Sequence, residues 1–104
     1  MRIIVNRLTR MQPGYICVAG VDVSNGQHIR PVLRGRLTVD LLACNGGPFN
    51  LANLVDLGKV EYCGQAPETE DYSFDQRNAR CIRRIPHTHF WEMPKYLMSR
   101  KQAI

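Results

Sequence analysis

GYICVAGVDVSNGQHIRPV, residues 14–32, decides the fold class. Residues 15–23 are rich in β-branched and apolar side chains, which suit a pleated, half-buried surface. Asn25-Gly26 follows, the strongest short hairpin signal, because the tightest hairpin turns need φ > 0 at both central residues. The return arm, residues 27–32, carries His28 and Arg30 and then Pro31. Alternation puts Tyr15, Cys17, Ala19, Val21 and Val23 on one face and Ile16, Val18, Gly20 and Asp22 on the other. Both faces stay apolar as far as Asp22, so this strand is expected to be central. Gly20 suits a bend or a close backbone approach. Pro31 has no N–H to donate, so pairing is expected to stop beside it. An arginine at such a stop is well placed to present its cation to a partner.

Outward from the hairpin, residues 2–6 read as a first strand and residues 7–14 as a polar connection with a Pro13-Gly14 turn. Residues 33–36 are a basic turn. Residues 37–44 fit a short helix or a strand equally well. Along 53–63, Val55, Leu57, Lys59, Glu61 and Cys63 oppose Leu54, Asp56, Gly58, Val60 and Tyr62. That alternation predicts a long strand bent near Gly58, as at a barrel corner. Residues 65–75 are acidic and read as loop. Residues 80–85 predict a further strand, with Arg80, Ile82 and Arg84 on one face and Pro86 as its stop. The tail predicts a helix over 95–103, with Pro94 near its first turn. Phe90, Trp91, Met93, Tyr96, Leu97 and Met98 make that tail apolar. They are expected to cover the open end of a barrel, or to form a homo-oligomer or protein-partner surface.

About five strands and a little helix in a single domain, 1–104, predict a mainly β chain: a small closed or half-open barrel with a short C-terminal helix. Closure removes exposed strand edges from a short chain. An open α+β sheet with the helix packed across it is the alternative. The apolar share of 44% is ordinary for a globular protein. No apolar run reaches the ~20 residues of a membrane span, and MRIIVNRLTR is too short in apolar residues for a secretory leader. A cytoplasmic chain with no membrane association is the expectation. Cys17, Cys44, Cys63 and Cys81 form no close pair, so buried reduced thiols are expected rather than zinc ligands or disulfides. His87 and His89 have the His-x-His spacing of a metal site, but only Glu92 or Cys81 lie near as a third ligand. No metal and no cofactor are expected.

Charge points to the partner. Lys and Arg number 14 against 9 Asp and Glu, a net charge of +5, and the isoelectric point is near 9.3. Most of these cations are arginine, whose planar fork suits phosphate and base edges and stacks on rings. Nucleic acid, single-stranded or RNA, is the expected partner. Arg30 heads the candidate site, with His28 on its face and Arg34 and Arg36 extending the positive region. Asn6, Arg7 and Arg10 line the same rim if the first strand pairs with the hairpin. Tyr15 or His28 supplies a ring for stacking. In the structural alternative, Arg30 braces the fold through Asp56 or Asp22. Arg77, Arg80, Arg83 and Arg84 form a second basic group after Glu68, Glu70, Asp71 and Asp75. The two blocks either compensate one another or leave a strip that tracks phosphates. No G-x-S-x-G, P-loop or G-x-G-x-x-G occurs, and no catalytic residue is assigned. An enzyme acting on a nucleotide would need Asn6, Arg30 and Asp56 clustered. Asp56 or Asp40 would be its acid–base group and Arg30 its phosphate anchor.

Several of these segments carry a family resemblance. They are Asn6 followed by a basic stretch, Cys17-Val18-Ala19-Gly20, Gly26, Ile29-Arg30-Pro31-Val32, and Leu54-Val55-Asp56. Pro67-Glu68 followed by Asp75 completes the set. Over roughly two-thirds of its length the chain resembles the dual-OB domain family of bacterial and phage-associated proteins. His28 stands where that family usually carries Trp, and the chain has room for one such unit. The resemblance implies an OB-like barrel and, by fold analogy, nucleic-acid or nucleotide binding.

Overall fold

The computed structural model describes residues 1–86. The predicted tail helix over 95–103, the apolar tail residues and the His87/His89 pair lie outside them. Eight strands form one curled, half-barrel sheet: β1 Arg2–Met11, β2 Tyr15–Asp22, β3 His28–Val32, β4 Leu37–Thr38, β5 Asn53–Asp56, β6 Val60–Tyr62, β7 Asp71–Phe74 and β8 Arg80–Arg84. Their order is β6-β7-β3-β2-β1-β5-β8, with β4 also on β2. Only β3 and β7 run parallel. β2 has neighbours on both sides, as its two apolar faces predict.

The alternation along 53–63 resolves into β5 and β6 with a bend between them. Gly58 takes φ 72° at that bend, a conformation glycine adopts without a Cβ penalty. β5 lies beside β1, and after residues 57–59 the chain rejoins the sheet as β6 beside β7.

Four local readings need correction. First, β1 runs on to Met11. A bulge at Asn6 shifts the register, so Val5 opposes Gly20 while Arg7 opposes Ala19. The extra residue breaks the period-2 pattern, which is why alternation stopped at Asn6. Second, the hairpin loop is longer than two residues. Gly26 takes φ 74° but Asn25 does not take a positive φ. The Gly26 N–H donates to the Asp22 carbonyl at 2.8 Å, and the Asp22 N–H to the Gln27 carbonyl at 2.9 Å. Asp22 Oδ1 accepts from the Ser24 N–H and hydroxyl at 2.9 and 2.8 Å. Side-chain acceptors thus satisfy the donors of a wider loop. Third, residues 37–44 divide into the two-residue β4 and two single 3₁₀ turns, Val39–Leu41 and Ala43–Asn45. Fourth, part of the acidic stretch read as loop is β7. Tyr72 and Phe74 alternate with Asp71 and Ser73, a strand pattern obscured by the neighbouring carboxylates.

The core fills the concave side of the sheet. Ile3, Val5, Ile16, Val18, Ile29, Leu37, Phe49, Val55, Leu57 and Phe74 are among its buried members, and Leu8 packs against it. Phe49 is fully buried. Its ring meets Phe74 edge-on, with centroids 6.0 Å apart, a favoured aromatic geometry.

Candidate functional site

Residues directly opposite each other across paired strands share a face. The other face of the sheet therefore carries Arg7 with Ala19, Thr9 with Cys17, Met11 with Tyr15 and Thr38, and Ile4 with Val21 and His28; Ile4 and Val21 are themselves fully buried, so the open part of this face begins at Arg7 and Ala19. Arg30 alternates with His28 onto this face and opposes Asp71 of β7. The Asn6 bulge decides Arg7's position. Without the extra residue, strict alternation from Val5 would turn Arg7 toward the core and Leu8 outward.

A cleft of about 840 Å³ opens on this outer face. Cys17 and Ala19 of β2 form a small-residue floor. Asn6, Arg7, His28 and Arg30 border it on the strand side, and residues 67–71 border it opposite. The cleft is bipolar, with Arg7, His28 and Arg30 facing Glu68, Glu70 and Asp71. Arg30 is held in place by a two-pronged ion pair. Its Nε donates to Asp71 Oδ1 at 2.6 Å and its Nη2 to Oδ2 at 2.8 Å. Those bonds raise the guanidinium's pKa further above its ordinary range, and burial opposes them only in part. The partner is Asp71, not the Asp56 or Asp22 considered from sequence. Asp22 is engaged in its own loop, and Asp56 pairs with Arg2 at 3.8 Å.

A second cleft, of about 360 Å³, shares Cys17, Arg30 and Asp71 with the first. It opens where β2 changes partner. β4 covers Tyr15 and Ile16, β3 covers Gly20 and Val21, and residues 17–19 have no strand partner on that flank. Pro31 accounts for the gap, since it has no N–H to offer Val18 and ladder pairing ends at Ile29. Arg36 lines this cleft too, and its guanidinium carbon sits 5.2 Å from the centroid of the Tyr15 ring, within cation–π range.

Of the eight residues singled out from sequence, Asn6, Arg7, His28 and Arg30 meet at the first cleft. Tyr15 and Arg36 stack beside the second. Arg34 is exposed in the turn after β3. Arg10 opposes Ile16, on the core-side parity, and its Nη2 lies 3.9 Å from Cys44 Sγ, so it stands apart from the cleft. Sequence reasoning missed Cys17, Ala19 and the whole carboxylate wall. Only the parallel β3–β7 pairing brings Asp71 beside Arg30.

The Asn6, Arg30 and Asp56 cluster needed for a nucleotide enzyme does not form, because Asp56 does not line the cleft. Nor do Cys17 and His28 make a nucleophile–base pair. His28 opposes Val21, four residues along β2 from Cys17, or about 13 Å at strand rise. The four cysteines are free thiols, but Cys44, Cys63 and Cys81 are exposed rather than buried. Among the described residues no three His, Cys, Asp or Glu side chains gather as metal ligands. No described helix is long and apolar enough to cross a membrane.

No protein-family model, curated protein or solved structure matches this chain.

Proposed function

We propose that this chain is an OB-like barrel that binds single-stranded nucleic acid across its outer face. The bipolar cleft of Arg7, His28 and Arg30 against Glu68, Glu70 and Asp71 carries the reading. A nucleotide has matching polarity. Its phosphate suits guanidinium forks, and base amino groups donate to carboxylates. A uniformly positive surface would favour any polyanion, whereas this cleft favours one with exposed base edges. Tyr15 with Arg36 above it adds a stacking platform on the same face.

The topology agrees with the OB part of the proposal. With β5 and β6 taken as one bent strand, the ring runs β1, β2, β3, β7, β6/β5 and back to β1. OB barrels take up oligonucleotides on the face of strands 2 and 3 and on the loop between their last two strands. The first cleft lies between β2, β3 and the β6–β7 connection.

Fluorescence anisotropy with labelled oligothymidylate and oligouridylate tests the reading. Binding is expected at low salt, with a log–log salt slope of about −0.7 for each phosphate engaged. Arg7→Ala combined with Arg36→Ala should weaken it. An absence of binding at low salt, or a double variant that binds as the parent does, overturns the reading.

A further inference from the structure

Arg30 spends only one side of its fork on Asp71. Nε and Nη2 donate to the two carboxylate oxygens, at 2.6 and 2.8 Å. A guanidinium carries five N–H donors, and two are used there. The end of the fork, one N–H from each Nη nitrogen, has no partner among the described residues. Those two N–H groups are parallel and coplanar, and the ion pair fixes their direction. The side chain is partly open to solvent and lines the cleft. A fork clamped in this way reads two adjacent acceptors; it is not a mobile counter-charge.

The wall across the cleft is also fixed in position. The Arg30 N–H donates to the Glu70 carbonyl at 2.8 Å, and the Gln65 N–H to the Glu68 carbonyl at 2.9 Å. The Tyr62 hydroxyl donates to the Thr69 carbonyl at 3.0 Å. The Glu68 carboxylate on that backbone is in no ion pair among the described residues. It stands near the Arg30 fork: the hydrogen bonds to Asp71 do most to raise that guanidinium's pKa, and the charge of Glu68 adds to the effect. The floor between the walls is Cys17 and Ala19, whose short side chains leave room for a flat ring.

Two adjacent donors set against a carboxylate discriminate among the bases. Guanine carries two acceptors, O6 and N7, side by side on one edge, and a guanidinium takes them bidentately. Its next edge carries two donors, N1–H and N2–H2, which suit the two oxygens of a carboxylate. Adenine sets its amino group beside N7, where a fork meets a donor. Cytosine gathers its donor and acceptors on a single edge. Thymine and uracil have no amino group. We infer that the cleft takes an unpaired guanine, with the end of the Arg30 fork on O6 and N7 and Glu68 on N1–H and N2–H2. This rests on the function proposed above and names the base. The guanine must be unpaired, because a Watson–Crick partner occupies N1–H and N2–H2. Arg7, exposed and in no ion pair among the described residues, is left for phosphate.

The second basic group takes no part. Arg77 pairs with Asp75, Nη2 to Oδ2 at 2.9 Å. Arg80, Arg83 and Arg84 lie on β8, at the margin of the sheet. The β5–β8 register shifts there with Ile82 as the extra residue, which turns Arg80 and Arg83 to one face. None of the four lines the cleft.

The test compares labelled oligothymidylates of about 9 nucleotides, a length within reach of one OB barrel, with and without one central guanine. The guanine should tighten binding about fivefold or more, the lower end of what a bidentate base contact gives. Central adenine or cytosine should add less. Hypoxanthine lacks the 2-amino group and 7-deazaguanine lacks N7, and each should lose most of the gain. Arg30→Lys keeps the charge and removes the fork, so guanine and 7-deazaguanine should bind it alike. Glu68→Gln should bind guanine and hypoxanthine alike. Each readout is a ratio between two ligands on one protein, so a change in folding or in general affinity cancels. A guanine strand bound no more tightly than pure thymidylate, or a ratio left as in the parent by either variant, overturns the guanine assignment while the single-strand reading stands. No binding of any of these strands by the parent at low salt overturns both.

Discussion

Asp71→Asn keeps the shape of the side chain and removes the charge that holds Arg30. The pair is half-sheltered: the Arg30 side chain is 37% exposed and the Asp71 side chain 15%. Fully exposed ion pairs contribute about 0.2–1 kcal/mol, and shielded hydrogen bonds to charged groups about 1.5–3 kcal/mol. With solvent screening on the arginine side, the loss expected here is about 1–2 kcal/mol. For a domain of this size each kcal/mol lowers Tm by about 4–8 °C. Binding should move the other way. Both Asp71 carboxylate oxygens already accept from Arg30, leaving Glu68 and Glu70 to meet base amino groups, so the variant frees a guanidinium for phosphate, and oligonucleotide affinity should rise about three- to tenfold, or up to about 1.4 kcal/mol. Arg30→Gln should lower both stability and affinity. Thermal unfolding by circular dichroism and anisotropy titration at one fixed salt concentration give the two readouts, and the double variant completes the cycle. An unchanged Tm in Asp71→Asn would show that the ion pair contributes nothing to the fold. An affinity that neither variant alters would remove Arg30 from the binding site.

Two further outcomes follow from the geometry. Gly20→Ala would set a Cβ 2.7 Å from the Ile4 carbonyl oxygen and 2.9 Å from Ile3 Cδ1. Overpacking of this kind costs about 1–3 kcal/mol, and a lower urea midpoint with an unchanged slope would report it; an unchanged midpoint would mean that β1 and β2 yield freely there. Asp56 has a folded-state pKa below its ordinary 3.8, chiefly through the Gly58 N–H. Its contribution is therefore complete above about pH 4 and is lost as pH falls through the folded value. Asp56→Asn should destabilise the chain at pH 6 and make little difference below the folded pKa, as urea midpoints at the two pH values will show. An equal effect at both would assign the loss to packing.

Much of the fold was legible because strands announce themselves locally. The β2–β3 hairpin, the bent β5–β6 segment and the end of β8 at Pro86 follow from alternation, a glycine and a proline. What failed to show was anything a bulge displaced. Asn6 and Ile82 each insert one residue, and each reverses the facing of every side chain beyond it until the strand ends. Arg7 and Arg83 reach the outer face for that reason; charge and proximity to the hairpin put Arg7 on the candidate rim, but strand alternation places neither residue there.

The candidate site divides along the same line. Composition and residue type by themselves determined that the chain is rich in arginine, mainly β, and carries Arg30 beside a strand-stopping proline. Which arginines stand together was decided by tertiary structure alone. Arg30 and Asp71 are 41 residues apart in sequence and meet only because β3 pairs in parallel with β7, a long-range choice that leaves no local trace. Electrostatic neighbours are a property of register and sheet order, and local sequence periodicity specifies neither.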